Sequence, residues 1–161
     1  MRRVAMYEAA TLEEVWALID RLAARSLVVD VEPLVALWDT DTATLDAGLD
    51  KTMARLESIP GRQSVLFATN SVRRPTALPG LAGARVGYRS SAVKPLRSKG
   101  YRELPRPGLV VGDQLATDGA LAWRLGFGFV HYAPPRERVP AGPRLLMAFG
   151  ELLRPLLFRP S

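Results

Sequence analysis

The chain contains no cysteine among its 161 residues. Disulfide scaffolds, cysteine–zinc sites and thiol catalysis are therefore excluded, and the composition fits a reducing cytoplasm. Histidine occurs once, as His131, which removes histidine-rich metal clusters. Within the apolar run Phe127 to Ala133 it reads as a packed or edge-strand residue rather than a catalytic one. There is no GxxxxGK[ST] phosphate loop and no Ser-His-Asp set. No stretch reaches the ~18 consecutive apolar residues of a membrane span. Arg2 and Arg3 are followed by Tyr7, Glu8, Glu13 and Glu14 where a signal peptide needs an apolar run. The protein is thus expected to be cytoplasmic. Internal repeats and low-complexity tracts are also lacking.

What is present is ordinary for a globular chain: 48% hydrophobic and 24% charged residues, and a length that suits one domain over residues 1–161. The formal net charge of +6 favours anionic partners, namely phosphorylated small molecules, nucleic acid or an acidic membrane face. A solvated basic surface is the plainer reading of the same charge. The Arg/Lys-rich run from Arg85 to Arg106 carries Tyr88 and Tyr101, yet lacks a recognisable stacking motif, so nucleic acid ranks last among these partners.

Thr11 and Glu14 form a capping box ahead of Leu12, Val15, Trp16, Ile19, Leu22 and Ala23, which share one helical face. That helix is expected to end near Arg25. Ser26 to Asp30, SLVVD, is a β-branched run too short for a helix and suited to a buried strand. Leu45, Leu49, Met53 and Leu56 recur at helical spacing until Pro60-Gly61. Further strands are expected over residues 63–70, 84–89, 108–114 and 127–133, an irregular stretch or one short helix over 72–83, and a helix over 117–125. The alternation predicts an α/β fold with a mostly parallel central sheet flanked by helices, its core spanning residues 10–135. The tail, residues 136–161, is rich in leucine with Arg144, Arg154 and Arg159 interspersed. It is expected to form a helix packed on the sheet, with docking of 144–158 onto a membrane surface or partner as the alternative.

Ligands of open α/β sheets gather at the carboxyl ends of the strands. Three predicted strands end there in Asp30, in Thr69-Asn70 and in Asp113, with Lys94-Pro95 between the second and the last. The set holds a carboxylate nucleophile, a hydroxyl and an amide for phosphate oxygens, a cation and a second carboxylate. Two carboxylates with a carbonyl and waters suit Mg²⁺. Each residue alone would read as a cap on the following helix; four in register do not.

SLVVDVEPLVALWD, LFATNS, Lys94-Pro95 and VVGDQLATD stand in the order of the four motifs of the haloacid dehalogenase-like superfamily. The sequence most resembles its small, cap-less subfamily III, the YqeG-like group that includes phosphatidylglycerophosphate phosphatases. The resemblance spans roughly residues 10–135 and implies a Rossmann-like fold with no large cap domain. It further implies that Asp30 attacks phosphorus to form an aspartyl-phosphate, and that Thr69 and the amide of Asn70 hold a phosphoryl oxygen. Lys94 would neutralise the nucleophile and the transferring group. Asp113 would bind Mg²⁺ with the Asp30 carboxylate and the Glu32 carbonyl, and Asp118 would orient Lys94 or support the metal. The implied substrate is a phosphorylated molecule, such as a phospholipid head group met at the inner membrane face.

The sequence departs from the family at one telling place. Glu32 stands where the acid/base aspartate is usual, and Pro33 and Leu34 replace a usual polar pair. An extra methylene moves the carboxyl group by about an ångström, which can cost acid–base catalysis ~100-fold. Two expectations follow: a Mg²⁺-dependent phosphatase in which Glu32 is the acid/base, or a catalytically weak or inactive binding protein on the same fold.

Overall fold

A computed structural model describes residues 3–135 and 139–160. Arg2, the start of the tail at 136–138, and Ser161 lie outside the described residues. Among the described residues seven strands form: β1 (Val4–Ala9), β2 (Ser26–Asp30), β3 (Ser64–Ala68), β4 (Arg85–Arg89), β5 (Gly108–Gly112), β6 (Gly128–Tyr132) and β7 (Phe158–Pro160). Four helices accompany them: α1 (Leu12–Leu22), α2 (Thr42–Glu57), α3 (Ala120–Leu125) and α4 (Ala141–Leu157). The strands make one sheet in the order β4-β3-β2-β5-β6-β1-β7, with every neighbouring pair parallel. The α/β class expected from the alternation is therefore the observed one, a Rossmann-like sheet flanked by helices.

Local chemistry explains the elements. Thr11 caps α1 by accepting the Glu14 amide, and the Glu14 carboxylate accepts the Ala10 amide in return. The helix stops at Leu22, short of Arg25, because Ala23 turns into the left-handed region at φ 45°. Asp41 caps α2 through the Thr44 amide. β2 and β5 are buried along their whole length, as strands covered on both faces must be. Their pleat divides the core. Leu27, Val29, Leu109 and Val111 face Val15, Ile19, Leu45, Leu49 and Met53, while Val28 and Val110 face Leu121, Leu125, Phe129 and Phe158.

Two strands add to the five expected ones. β1 pairs with β6 and carries β7 on its outer side. The helix expected over 117–125 is present, opening one π-helical turn earlier at Leu115–Gly119 and continuing as α3. Residues 72–83 form no helix, and between Lys94 and the start of β5 only a short 3₁₀ turn, Lys99–Tyr101, interrupts the loop. The tail does form a helix, but α4 packs chiefly on the turn Leu115–Gly119 and then feeds β7. Gly150 permits this approach, since a Cβ there would meet the Leu115 Cβ at 2.7 Å. Among the described residues no helix is long and apolar enough to cross a membrane.

The chain leaves β2 for β3 and β4 on one side, and for β5 and β6 on the other. The switch point thus lies between β2 and β5, and the crevice outside their carboxyl ends is where such sheets bind ligands.

Candidate active site

That crevice collects the residues singled out from the sequence. Asp30 closes β2 and Asp113 follows β5, one on each side of the switch point. Lys94 reaches across from the loop after β4, and its Nζ lies 2.6 Å from Asp30 Oδ1 and 2.7 Å from Asp118 Oδ1. The same ammonium donates to the Ala68 carbonyl at 3.0 Å. Its three hydrogens are thereby committed. Asn70 fixes the lysine's backbone, accepting the Lys94 amide at 2.7 Å and donating to its carbonyl at 3.4 Å. Asp118 can lie over the end of β5 because Gly112 is there; a Cβ at that position would meet the Asp118 carboxyl carbon at 2.4 Å.

Asp30, Asp113 and Asp118 are all buried and bring ligand atoms within 4.8 Å of one another, so this trio could hold a metal ion. Both Asp113 oxygens are buried with no hydrogen-bond partner among the described residues, an arrangement that is costly unless a cation or proton satisfies it. Burial first, and the neighbouring Asp118 second, push the Asp113 carboxyl up to about 8. Burial and Asp118 likewise raise Asp30 well above the usual carboxylate range, although Lys94 opposes them. For Lys94, burial pulls the pKa down, but Asp118 and Asp30 together outweigh it and hold the ammonium above its ordinary value. Protonated Asp113 is the metal-free solution; a divalent cation would restore the carboxylate.

Glu32 is held differently. Thr69 Oγ1 donates to Glu32 Oε2 at 2.6 Å, and Arg73 Nη1 donates to Oε1 at 3.2 Å. Thr69 Oγ1 also accepts the Ser71 amide at 2.9 Å. The Thr69 hydroxyl, expected to meet a phosphoryl oxygen, is spent on Glu32 in this state of the protein. Arg73 was not among the expected site residues. Its partner is 41 positions away in the chain, and no local pattern signals such a pairing.

The constellation borders a cavity of about 210 Å³ lined by Asp30, Glu32, Trp38, Thr69, Asn70, Ser71, Lys94, Gln114, Thr117 and Leu146. Asp113 lines a neighbouring cavity of about 280 Å³ with Leu115, His131, Met147 and Glu151. His131 is buried, as its apolar run suggested, and its Nε2 lies 3.1 Å from the Asp113 carbonyl. Burial lowers its pKa, which fits a neutral ring that steadies the loop carrying Asp113. A wider cavity of about 490 Å³ between α1, β1 and α4 contains none of the constellation. Among its lining residues, Arg154 is paired with Glu8.

Fold and site together define a Rossmann-like α/β protein with a buried carboxylate–lysine centre at its switch point. Comparison with known protein families, with curated proteins and with solved structures finds no match.

Proposed function

We propose that the protein is a Mg²⁺-dependent phosphatase of the haloacid dehalogenase-like type, working through an aspartyl-phosphate on Asp30. The observation that carries this reading is Lys94 clamped between Asp30 and Asp118, beside an Asp113 whose two oxygens have no hydrogen-bond partner among the described residues. A lysine so placed keeps the nucleophile oriented and offsets its charge as an incoming phosphoryl group approaches. Asp30 and Asp113, with the Glu32 carbonyl, would hold Mg²⁺, and the bound ion would neutralise charge on the transferring phosphoryl group. An Asp30 oxygen attacks phosphorus as the ester bond to the leaving oxygen breaks. Glu32 gives that oxygen a proton, then takes one from the water that hydrolyses the acyl phosphate.

The cavity limits the substrate. Its 210 Å³ falls below the ~300–1,000 Å³ of pockets that enclose a drug-sized ligand, which suits a phosphoryl group and the atoms next to it. The remainder of the substrate lies outside, over Trp38 and Leu146. A phosphate on something large, such as a phospholipid head group like that of phosphatidylglycerophosphate, suits an open site of this kind. Such a protein would work in the cytoplasm, against the inner membrane face.

A second reading is favoured by Glu32 itself, whose two oxygens are already engaged by Thr69 and Arg73. In that reading the protein binds phosphorylated ligands and turns them over weakly. Hydrolysis of an aryl phosphate with and without Mg²⁺ separates the two. Metal-dependent turnover that Asp30→Asn abolishes, with the melting temperature retained, is the expected result. Equal rates in wild type and Asp30→Asn would overturn the assignment of the nucleophile.

A further inference from the structure

Lys94 cannot greet a phosphoryl oxygen in the observed arrangement, because its three hydrogens go to Asp30, Asp118 and the Ala68 carbonyl. An incoming phosphate monoester is a dianion and enters beside several carboxyl groups. It needs another donor set with positive charge. The structure contains one, and an acid already sits on it. Thr69 and Arg73 hold the two oxygens of Glu32, one donor to each. The Arg73 fork is itself fixed from behind, donating to the Leu37 carbonyl at 2.7 Å and to Thr40 Oγ1 at 2.8 Å. A planar guanidinium anchored in this way presents a preorganised arm toward the site and loses little freedom on meeting an anion.

We propose that Thr69 and Arg73 form the seat for a substrate phosphoryl oxygen, and that Glu32 occupies this seat as an internal anion in the free protein. Substrate binding then exchanges one anion for another: the phosphoryl oxygen takes the Thr69 hydroxyl and the Arg73 guanidinium, and the Glu32 carboxylate, freed from that cation, takes up a proton from solvent and turns as a carboxylic acid toward the leaving group. The longer side chain gains a purpose. The usual aspartate at this position is one methylene shorter, and glutamate has the added reach to lie on Thr69 and Arg73. Until phosphate displaces it, the acid/base group is held away from its task, which keeps the centre closed to anions that bind weakly. The inference rests on the phosphatase reading but is tested on binding, not turnover.

The test is calorimetric titration of inorganic phosphate into the full chain with Mg²⁺ present. Glu32→Gln keeps the shape of the side chain and removes the competing charge, so phosphate should bind it more tightly than wild type, by about tenfold if one charge-assisted bond is relieved. Arg73→Gln should weaken phosphate binding by a similar factor, and Arg73→Lys should recover part of it, as a point charge without the fork. If Arg73 merely ties the loop together, Glu32→Gln will bind phosphate no better than wild type, and that result overturns the proposal. So does wild-type affinity in a folded Arg73→Gln. Should Arg73→Gln fail to fold, the direction of the Glu32→Gln change decides alone. Phosphate binding that shifts as expected in a protein without turnover would sink the phosphatase reading and leave the anion exchange standing.

Discussion

Asp113 is the residue whose state most depends on what surrounds it. Its carboxyl is pushed up to about 8, by burial first and Asp118 second, against roughly 3.9 in an unfolded chain. The native protein therefore holds a proton on Asp113 that the unfolded chain has already lost, and stability falls as pH rises through this interval. Asp30 is raised too and acts in the same direction. His131 acts in the opposite sense: its pKa is lowered by burial, so it costs stability only below about 6.5, where the unfolded ring takes a proton. The clean window is thus about pH 6.5 to 8. In chelator, the melting temperature should drop across that window, and Asp113→Asn should flatten much of the drop. Added Mg²⁺ should raise the melting temperature of wild type more at pH 8 than at pH 6.5, because protons compete for the ligands. A flat profile identical to that of Asp113→Asn would show that Asp113 does not titrate here. Asp30 and Asp113 could be found in the sequence because strand ends converge by topology, with Lys94 lying between them, whereas Asp118, in the turn Leu115–Gly119, was signalled only by the resemblance of VVGDQLATD to a family motif. Arg73 could not be found, since its meeting with Glu32 depends on how two loops fold over each other.

The elements that were legible are those whose pattern is forced by burial. β2 and β5 read as strands because both faces are covered, and α1 and α2 because one face is. β1 and β7 are lateral additions. β1 is only partly buried along VAMYEA, and β7 is three residues long, so neither presents a run that stands out. β1 is held by β6 on its other side, whereas β7 exists because α4 returns the chain beside Val4, Ala5 and Met6. α4 itself is positioned at Gly150, where an added Cβ would lie 2.7 Å from the Leu115 Cβ and 3.0 Å from the Ala116 nitrogen. Gly150→Ala gives a direct check. Helix propensity alone would make it stabilising by about 1 kcal/mol. Overpacking against a backbone atom opposes this, at about 1–3 kcal/mol. The expected net effect is a lower melting temperature, accompanied by weaker Mg²⁺ binding, because Leu115 opens the turn that carries Asp118. A variant more stable than wild type would mean that α4 is not seated on this turn.

At the scale of the whole molecule, the exposed large apolar side chains among the described residues lie in loops and helices that follow the strands. All strands run parallel, so every carboxyl end points the same way. Leu12, Leu37, Val72, Val93, Leu96, Leu145 and Leu146 are exposed in segments that leave those ends. Phe149, Leu152 and Leu156 continue from Leu145 at helical spacing along α4, forming one uncovered stripe. Val72 at 81%, Leu145 at 74% and Leu152 at 71% are strongly exposed, and the stripe on α4 is the surface on which the proposed membrane contact is tested. Exposed Arg74, Arg97, Lys99 and Arg144 lie in the same segments. Leu146 belongs both to these exposed residues and to the wall of the cavity beside Asp30 and Lys94. A substrate whose phosphate stands on a bilayer would meet all of these features in one approach. The purified protein should therefore co-sediment with vesicles containing anionic lipid and much less with neutral ones. Raising salt should weaken the association, since each basic residue near the surface contributes ~1 kcal/mol that is screened within a Debye length. Leu145→Asp with Leu152→Asp should abolish sedimentation while leaving the melting temperature and aryl phosphate hydrolysis unchanged, because both side chains point to solvent and neither lines the cavity. Vesicle binding that survives the double substitution would move the contact elsewhere. No binding to either vesicle type, with aryl phosphate turnover intact, would point instead to a water-soluble phosphate monoester as the substrate.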